Sequence, residues 1–226
     1  MIASLSTHPA SHSAFSSHAT PLTRVGSHEH IFHEGAPAEA MFMIVNGVVV
    51  IYRTGIDGCR IIQDLRFKGE YVGVGYEENY SFSAIAVRPT VVRRIARAAV
   101  ERAIDESPVT ARRLLEALTL EQSRLSDRLM VIGSRTAIGR VAACFLDISS
   151  RSSGGAETFM VPISRSEMAD YLGLTIETVS RAITRLRTLG IIALPRSDTV
   201  TIRDRAALQA LAQDDGDGAA RGRFCA

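Results

Sequence analysis

Within Thr175 to Gly190 (TIETVSRAITRLRTLG), the side chains of Glu177, Ser180, Arg181, Thr184, Arg185 and Thr188 recur at helical spacing. They are of the types that meet base edges and phosphates. An arginine can grip the O6/N7 edge of guanine with two hydrogen bonds, a glutamate can accept from cytosine N4, and a hydroxyl can meet a thymine edge. The opposite face carries Val179, Ala182, Ile183, Leu186 and Leu189, a stripe that should face a core. Thr175 has the character of an N-cap and Gly190 that of the residue after the last turn.

The elements that must position this helix flank it directly. In SRSEMADYLG, Ser164 and Glu167 have capping-box spacing, and Met168, Ala169 and Leu172 supply an inward stripe. Gly173 and Leu174 leave only a tight turn before Thr175, so the spacing predicts a helix-turn-helix with the later helix in the reading position. Downstream, IIAL, turn residues from Pro195 to Asp198 and TVTIR read as two short strands, which makes a wing. A plain helical hairpin packed on a β-hairpin would satisfy the same pattern, with Glu177 and Arg181 a solvated pair contributing only about 0.2 to 0.5 kcal/mol.

The formal net charge of +2 does not mark a nucleic-acid binder, but charge is unevenly distributed. Between Thr175 and Arg205 stand six arginines against three acids, a local footprint sufficient to neutralise phosphates. A chain of 226 residues accommodates two domains. No apolar run reaches membrane-spanning length and the N-terminus lacks a secretion signal, so a cytoplasmic protein without a membrane partner is expected. Cys59, Cys144 and Cys225 are far apart, with no C-x-x-C spacing. Cys144 lies in an apolar helical stretch and should be buried, whereas Cys225 sits in a polar tail.

All six histidines fall at or before residue 33. In an extended strand His28 and His30 would point to one face, and with Glu34 they resemble part of a cupin metal motif. No later histidine completes such a site, so a solvated strand is the expectation and neither a metal nor another cofactor is assigned. A ligand-sensing β module, taking haem through His28, His30, His33 or Cys59, is the competing class of function. Nothing in the chain combines a nucleophile with a base and an orienting group, so it does not read as an enzyme.

In chain order, residues 1–24 are rich in Ser, His, Ala and Pro and are expected to form a disordered arm. Residues 25–107 hold short apolar segments (AMFMIVNG, VVVIYRTG, CRIIQDLRF, EYVGVG and SFSAIAV) separated by turns at NG, DG and KGE, the pattern of a β barrel or jelly roll. A short helix from Arg97 to Glu106 closes this module at Ser107-Pro108. Residues 108–133 then change period. Leu115, Leu118, Gln122, Leu125, Leu129 and Ile132 follow alternating steps of three and four, a narrow stripe that suits a two-stranded seam between copies, although packing on the β module of the same chain is the alternative. Gly133-Ser134 should mark a hinge, and the helix after it directs Ile138, Val141, Ala142 and Phe145 into the domain of residues 134–212, which ends in a helix from Arg205 to Ala212. Residues 213–226 are expected to be a flexible tail.

A β module, a long helix and a winged helix in this order resemble the CRP/FNR superfamily of bacterial transcription factors over about residues 25–212. The most specific part is Tyr171-Leu-Gly-Leu-Thr175-Ile-Glu177-Thr-Val-Ser180-Arg181, whose E-x-x-S-R pattern resembles the FNR and FixK branch. The resemblance implies an α+β chain with an N-terminal β-roll like those that bind cyclic nucleotides, a dimerisation helix and a C-terminal winged helix-turn-helix domain. It also implies a homodimer on a TTGAT-type inverted repeat in double-stranded DNA, with RNA polymerase as a further partner. Glu177, Ser180 and Arg181 would contact bases and Thr175, Thr178, Arg185 and Arg187 would hold phosphates. Leu115, Leu118, Leu125, Leu129 and Ile132 would form the dimer seam. The chain departs from cyclic-AMP receptors, because Gly69-Glu70 is present but Tyr80-Ser81 stands where their Arg-Ser pair would be. It departs from the cluster-bearing FNR sensors, because the N-terminal arm has no cysteine and Arg93 stands at their late-strand cysteine. What remains is a FixK-like regulator without a sensor cofactor, a group associated with low-oxygen respiration and nitrogen fixation.

Overall fold

A computed structural model describes residues 21–56, 58–75, 77–134 and 136–214. The chain forms two compact units that divide between Glu121 and Gln122. In the first unit, β1 (Leu22–Val25), β8 (Thr90–Ala96), β3 (Ala40–Asn46) and β6 (Tyr71–Val72) make one four-stranded sheet in the order β1-β8-β3-β6. A second four-stranded sheet runs β2-β7-β4-β5, from β2 (His30–Phe32), β7 (Ser83–Ala86), β4 (Val49–Thr54) and β5 (Arg60–Arg66). Every pairing is antiparallel, as in a jelly roll.

The continuous apolar run of β3 has a physical reason, because both of its faces are covered. Phe42 and Ile44 pack into the roll interior with Phe32, Val49, Ile51 and Tyr80. Met41 and Met43 join Tyr71 and Ile95 in a second cluster with Ala103 of α1 (Arg97–Glu106) and Leu114 of α2 (Pro108–Ser134). Ser107-Pro108 therefore both stops one helix and starts the next. Proline suits the first helical position, where its missing N–H leaves no bond unmade, and Ser107 Oγ accepts from the Thr110 N–H at 3.3 Å.

Three sequence expectations are revised here. Residues 22–24, read as the end of a disordered arm, lie in β1 and pair with β8. Leu22, Thr23 and Arg24 are all exposed, so no alternation marked the strand, and its order comes from ladder hydrogen bonds. EYVGVG yields only Tyr71–Val72 as strand, because Gly73 adopts φ 73°. The pairing of His28 with His30 on one strand face also fails. His28 sits before β2 at φ 61°, in a turn whose side-chain directions do not alternate.

The second unit contains the C-terminal half of α2, α3 (Ala137–Ser153), β9 (Thr158–Met160), α4 (Arg165–Leu172), α5 (Ile176–Thr188), β10 (Ile192–Arg196), β11 (Thr199–Ile202) and α6 (Arg205–Gln213). The wing is a three-stranded sheet in the order β10-β11-β9, so TFM supplies a third strand. Pro195 sits where the β10 register shifts, a place that tolerates a missing donor. α2 runs through the expected hinge at Gly133-Ser134, and α3 starts where Thr136 Oγ1 accepts from the Gly139 N–H. Val141, Ala142, Phe145 and Ile148 of α3 are buried, whereas Ile138 is half-buried. Among the described residues no helix is long and apolar enough to cross a membrane, and Cys225 lies outside them.

At the NG turn after β3, Gly47 has φ 104°, and a Cβ added there would come within 2.7 Å of Thr90 Cα. Gly47→Ala is therefore expected to destabilise the first unit by on the order of 1 to 3 kcal/mol, read as a lower urea midpoint for its unfolding transition.

Candidate nucleic-acid interface

The interface is built on α5, whose two ends are closed by local hydrogen bonds. Thr175 Oγ1 accepts from the Thr178 N–H at 3.2 Å, the expected N-cap. At the other end Leu189 is the cap and Gly190 follows at φ 73°. Ile191 N–H donates to Leu186 O at 3.1 Å and Gly190 N–H to Arg187 O at 3.0 Å, a Schellman arrangement. Val179, Ala182, Ile183 and Leu186 are buried. Leu189, read as the last member of this stripe, is instead 47 % exposed. At about 100° per residue it lies roughly 80° from Val179 around the axis, at the stripe's edge, just where the chain leaves the helix.

The preceding helix is closed as tightly. Ser164 Oγ accepts from the Glu167 N–H at 3.2 Å while Glu167 Oε2 accepts from the Ser164 N–H at 2.8 Å, the complete capping box. Gly173 ends α4 at φ 61°, a left-handed conformation that admits a three-residue turn, Gly173-Leu174-Thr175, into α5. Arg128 of α2 and Arg140 of α3 donate to carbonyls of this turn region, and neither was singled out from the sequence. The signal available was an arginine inside the flank of an otherwise apolar helix frame.

On the outward face, Glu177, Arg181 and Arg185 are exposed and Ser180 is half-buried. Ser180, Arg181, Thr184, Arg185 and Thr188 together line one shallow concave surface. Arg181 Nη2 donates to Thr178 Oγ1 at 3.3 Å, which holds the guanidinium near the helix N-terminus rather than leaving it free. Thr175 and Thr178 hydroxyls lie 3.0 Å apart beside it. Arg187 is exposed but falls on the other edge of the helix, outside the concave surface that Arg185 lines. Arg165, at the start of α4 and not anticipated, donates to Ser180 Oγ at 3.4 Å. With its oxygen accepting that bond, the Ser180 hydroxyl is set to donate to a base acceptor.

The expected seam residues Leu115, Leu118, Leu125 and Leu129 are 65 %, 37 %, 47 % and 72 % exposed, an apolar row on α2. Ile132 has different surroundings. It is half-buried, and its Cγ2 lies 3.7 Å from the place a Gly173 Cβ would take.

His30 and His33 of the first unit form a separate cluster. His30 Nε2 is 2.8 Å from Tyr52 Oη, and the His30 and His33 rings stack at 4.1 Å. Burial, then the nearby His33 and Arg60, lower the His30 pKa below its ordinary value. Glu34, the third member of the cupin-like motif, pairs with Arg53 at 3.0 Å. Among the described residues no three His, Cys, Asp or Glu side chains come together to hold a metal ion.

Residues 139–211 match the Crp-like helix-turn-helix domain family, and residues 22–107 match the cyclic nucleotide-binding domain family. The chain is 35% identical over 189 residues to the nitrogen fixation regulation protein FixK of Bradyrhizobium diazoefficiens, covering 82% of this chain and 79% of that one. It is 33% identical over 208 residues to the transcriptional activatory protein AadR of Rhodopseudomonas palustris, covering 90% and 86%. The solved structure of FixK2 from Bradyrhizobium japonicum superposes with a TM-score of 0.82 at 31% identity, over 88% of this chain and 100% of that one.

The second of these families implies a cyclic nucleotide, and the residues present do not fit one. Tyr80, standing where an arginine would clamp the phosphate, is buried, stacks on Phe32 with ring centroids 3.7 Å apart, and donates its hydroxyl to Ala40 O at 2.6 Å. Glu70 Oε2 accepts from the Phe67 N–H at 3.1 Å and so serves the turn. The roll interior is packed with Phe32, Ile44, Val49, Ile51, Val72 and Tyr80. An anion placed among them would lose its hydration without gaining a counter-charge.

Cys144 is fully buried in α3, and burial, with Asp147 adding in the same direction, pushes its thiol up to about 12. The folded state then holds the proton more tightly than the unfolded chain. Its stabilising contribution is complete below the ordinary value of 9.0 and is lost as pH rises toward about 12. At neutral pH, iodoacetamide followed by mass spectrometry is expected to label the exposed Cys59 and to spare Cys144 until the protein is unfolded.

Proposed function

This chain belongs to the CRP/FNR family of DNA-binding transcriptional regulators, and from that premise we propose that it reads a TTGAT-type inverted repeat as a homodimer without a bound sensor cofactor. The observation that carries the reading is the placement of Glu177, Ser180 and Arg181 on one outward face of a helix whose opposite face is buried. Arg181 bonds the O6/N7 edge of the guanine, Glu177 accepts from a cytosine N4 on the complementary strand, and Ser180 donates to thymine O4. Thr175, Thr178, Arg185 and Arg187 hold phosphates and set the register. The bond from Arg181 to Thr178 costs little to exchange, because both groups regain partners on the DNA.

The apolar row Leu115, Leu118, Leu125 and Leu129, with Ile132 at its end, is the seam that brings two copies together. A symmetric pair of reading helices matches the symmetry of an inverted repeat. The filled interior of the β-roll supports DNA binding without a cyclic nucleotide, so control lies in how much protein is made. By analogy with the nitrogen fixation regulation protein FixK and the activatory protein AadR, the chain acts as an activator that engages RNA polymerase. Its genes belong to low-oxygen respiration or nitrogen fixation.

The testing experiment is ligand-free binding to a duplex carrying the repeat, against a control with the guanine and its symmetric partner changed, at one stated salt concentration. Wild type is expected to prefer the repeat, and Arg181→Ala to lose on the order of 1 to 3 kcal/mol of that preference per half-site. Folded, dimeric protein with no preference would refute the cofactor-free reading. Separately, Leu125→Glu with Leu129→Glu should shift the protein to monomer in sedimentation experiments and weaken binding to the full repeat more than to a single half-site.

A further inference from the structure

The C-terminal end of α4 leaves its last four carbonyls without intrahelical donors. Two are met locally, since the Leu174 N–H donates to Ala169 O at 2.9 Å and the Gly173 N–H to Asp170 O at 3.4 Å. The other two are met from different helices. Arg128 of α2 donates Nη2 to Tyr171 O at 2.8 Å, and Arg140 of α3 donates Nη1 to Leu172 O at 3.1 Å and to Gly173 O at 3.4 Å. The Arg128 guanidinium also lies 4.0 Å from the centroid of the Tyr171 ring, close enough for a cation–π contact. Both positive charges stand at the negative end of the α4 dipole.

This clamp sits at a place where small displacements matter. Beyond it the chain needs only Gly173, Leu174 and Thr175 to enter α5, and that turn is itself hydrogen-bonded at both ends. A shift at Tyr171 to Gly173 is therefore carried into the recognition helix. On the other side, Arg128 is half-buried while its neighbours Leu125 and Leu129 on α2 are exposed. One edge of α2 grips the helix-turn-helix and the adjacent edge is the apolar row.

We propose that Arg128 and Arg140 are positioning residues for DNA recognition, which fix the recognition helix against α2 and so determine the half-site separation that the dimer accepts. This rests on the dimeric reading above. Neither arginine touches DNA in this role. Arg128 needs its planar fork, since one face lies on the Tyr171 ring while the edge reaches the carbonyl, and a lysine has no plane to stack.

The test uses full-length protein and duplexes carrying the inverted repeat at its preferred separation, with one base pair added, and with one removed. Wild type is expected to favour one separation. R128A is expected to lose on the order of tenfold of that preference, the equivalent of one charge-assisted hydrogen bond, with R140A acting in the same direction. Discrimination against the altered guanine and the sedimentation of the dimer should not change. R128K, which keeps the charge and one donor, should show a smaller loss of the same kind and carries the test if R128A does not fold. An equal loss of affinity at every separation would overturn the proposal, because the clamp would then be structural only. Loss of guanine discrimination would also overturn it, by placing the effect in the reading face. Wild type that sediments as a monomer, or that ignores the guanine change, marks a different failure, that of the proposed function itself.

Discussion

A helix-turn-helix redirects the chain within three residues, and that turn requires every carbonyl at the end of the first helix to find a donor elsewhere. Here the local chain supplies two donors and two arginines from other helices supply the rest. Without them, buried acceptors would lose water and gain nothing. The sharpness of the turn sets where α5 begins, and the capping of α5 by Thr175 sets its phase. Its phase in turn decides which side chains face inward and which face outward. Glu177, Ser180 and Arg181 are outward because Val179, Ala182, Ile183 and Leu186 are inward.

The first unit shows how a fold can keep its architecture while its interior chemistry changes. The two antiparallel sheets match a domain family defined by cyclic nucleotide binding. Yet the interior is closed by an aromatic stack, with Tyr80 against Phe32 and its hydroxyl tied to the backbone. A buried tyrosine hydroxyl needs such a partner, and once it has one the ring becomes part of the core. Burial raises the Tyr80 pKa, which keeps the hydroxyl a donor. Gly73 belongs to the same packing, since a Cβ there would come within 2.9 Å of the Tyr80 ring.

α2 contributes its N-terminal half to the first unit and its C-terminal half to the second. Leu114 is buried with Met41 and Met43, and Glu121 accepts from the buried Arg66 at 2.8 Å. A buried guanidinium between Asp64 and Glu121 resists the removal of either carboxylate, because an uncompensated charge in that position is strongly unfavourable. Within the second unit, Arg128 of α2 donates to Tyr171 O of α4. Leu115, Leu118, Leu125 and Leu129 of the same helix are exposed.

Much of the reading head was legible in the linear chain, because its determinants are local. The capping box at Ser164 and Glu167, the left-handed glycine at 173 and the cap at Thr175 each involve residues within a few positions of one another. The helical period of the α5 stripe is equally local, and only its last member, Leu189, escaped when the helix ended. The separation of β-strands by glycine turns was visible for the same reason. β1 was not, since one buried residue in four carries no period and its order comes from pairing with β8, far away in sequence. Nor could spacing show that Tyr80 fills the roll, that Ile132 lies near Gly173, or that Arg128 and Arg140 close the end of α4. Periodicity and capping are properties of neighbours along the chain. The partner of a buried carbonyl, ring or guanidinium is decided by which surfaces fold together, and only the tertiary structure contains that.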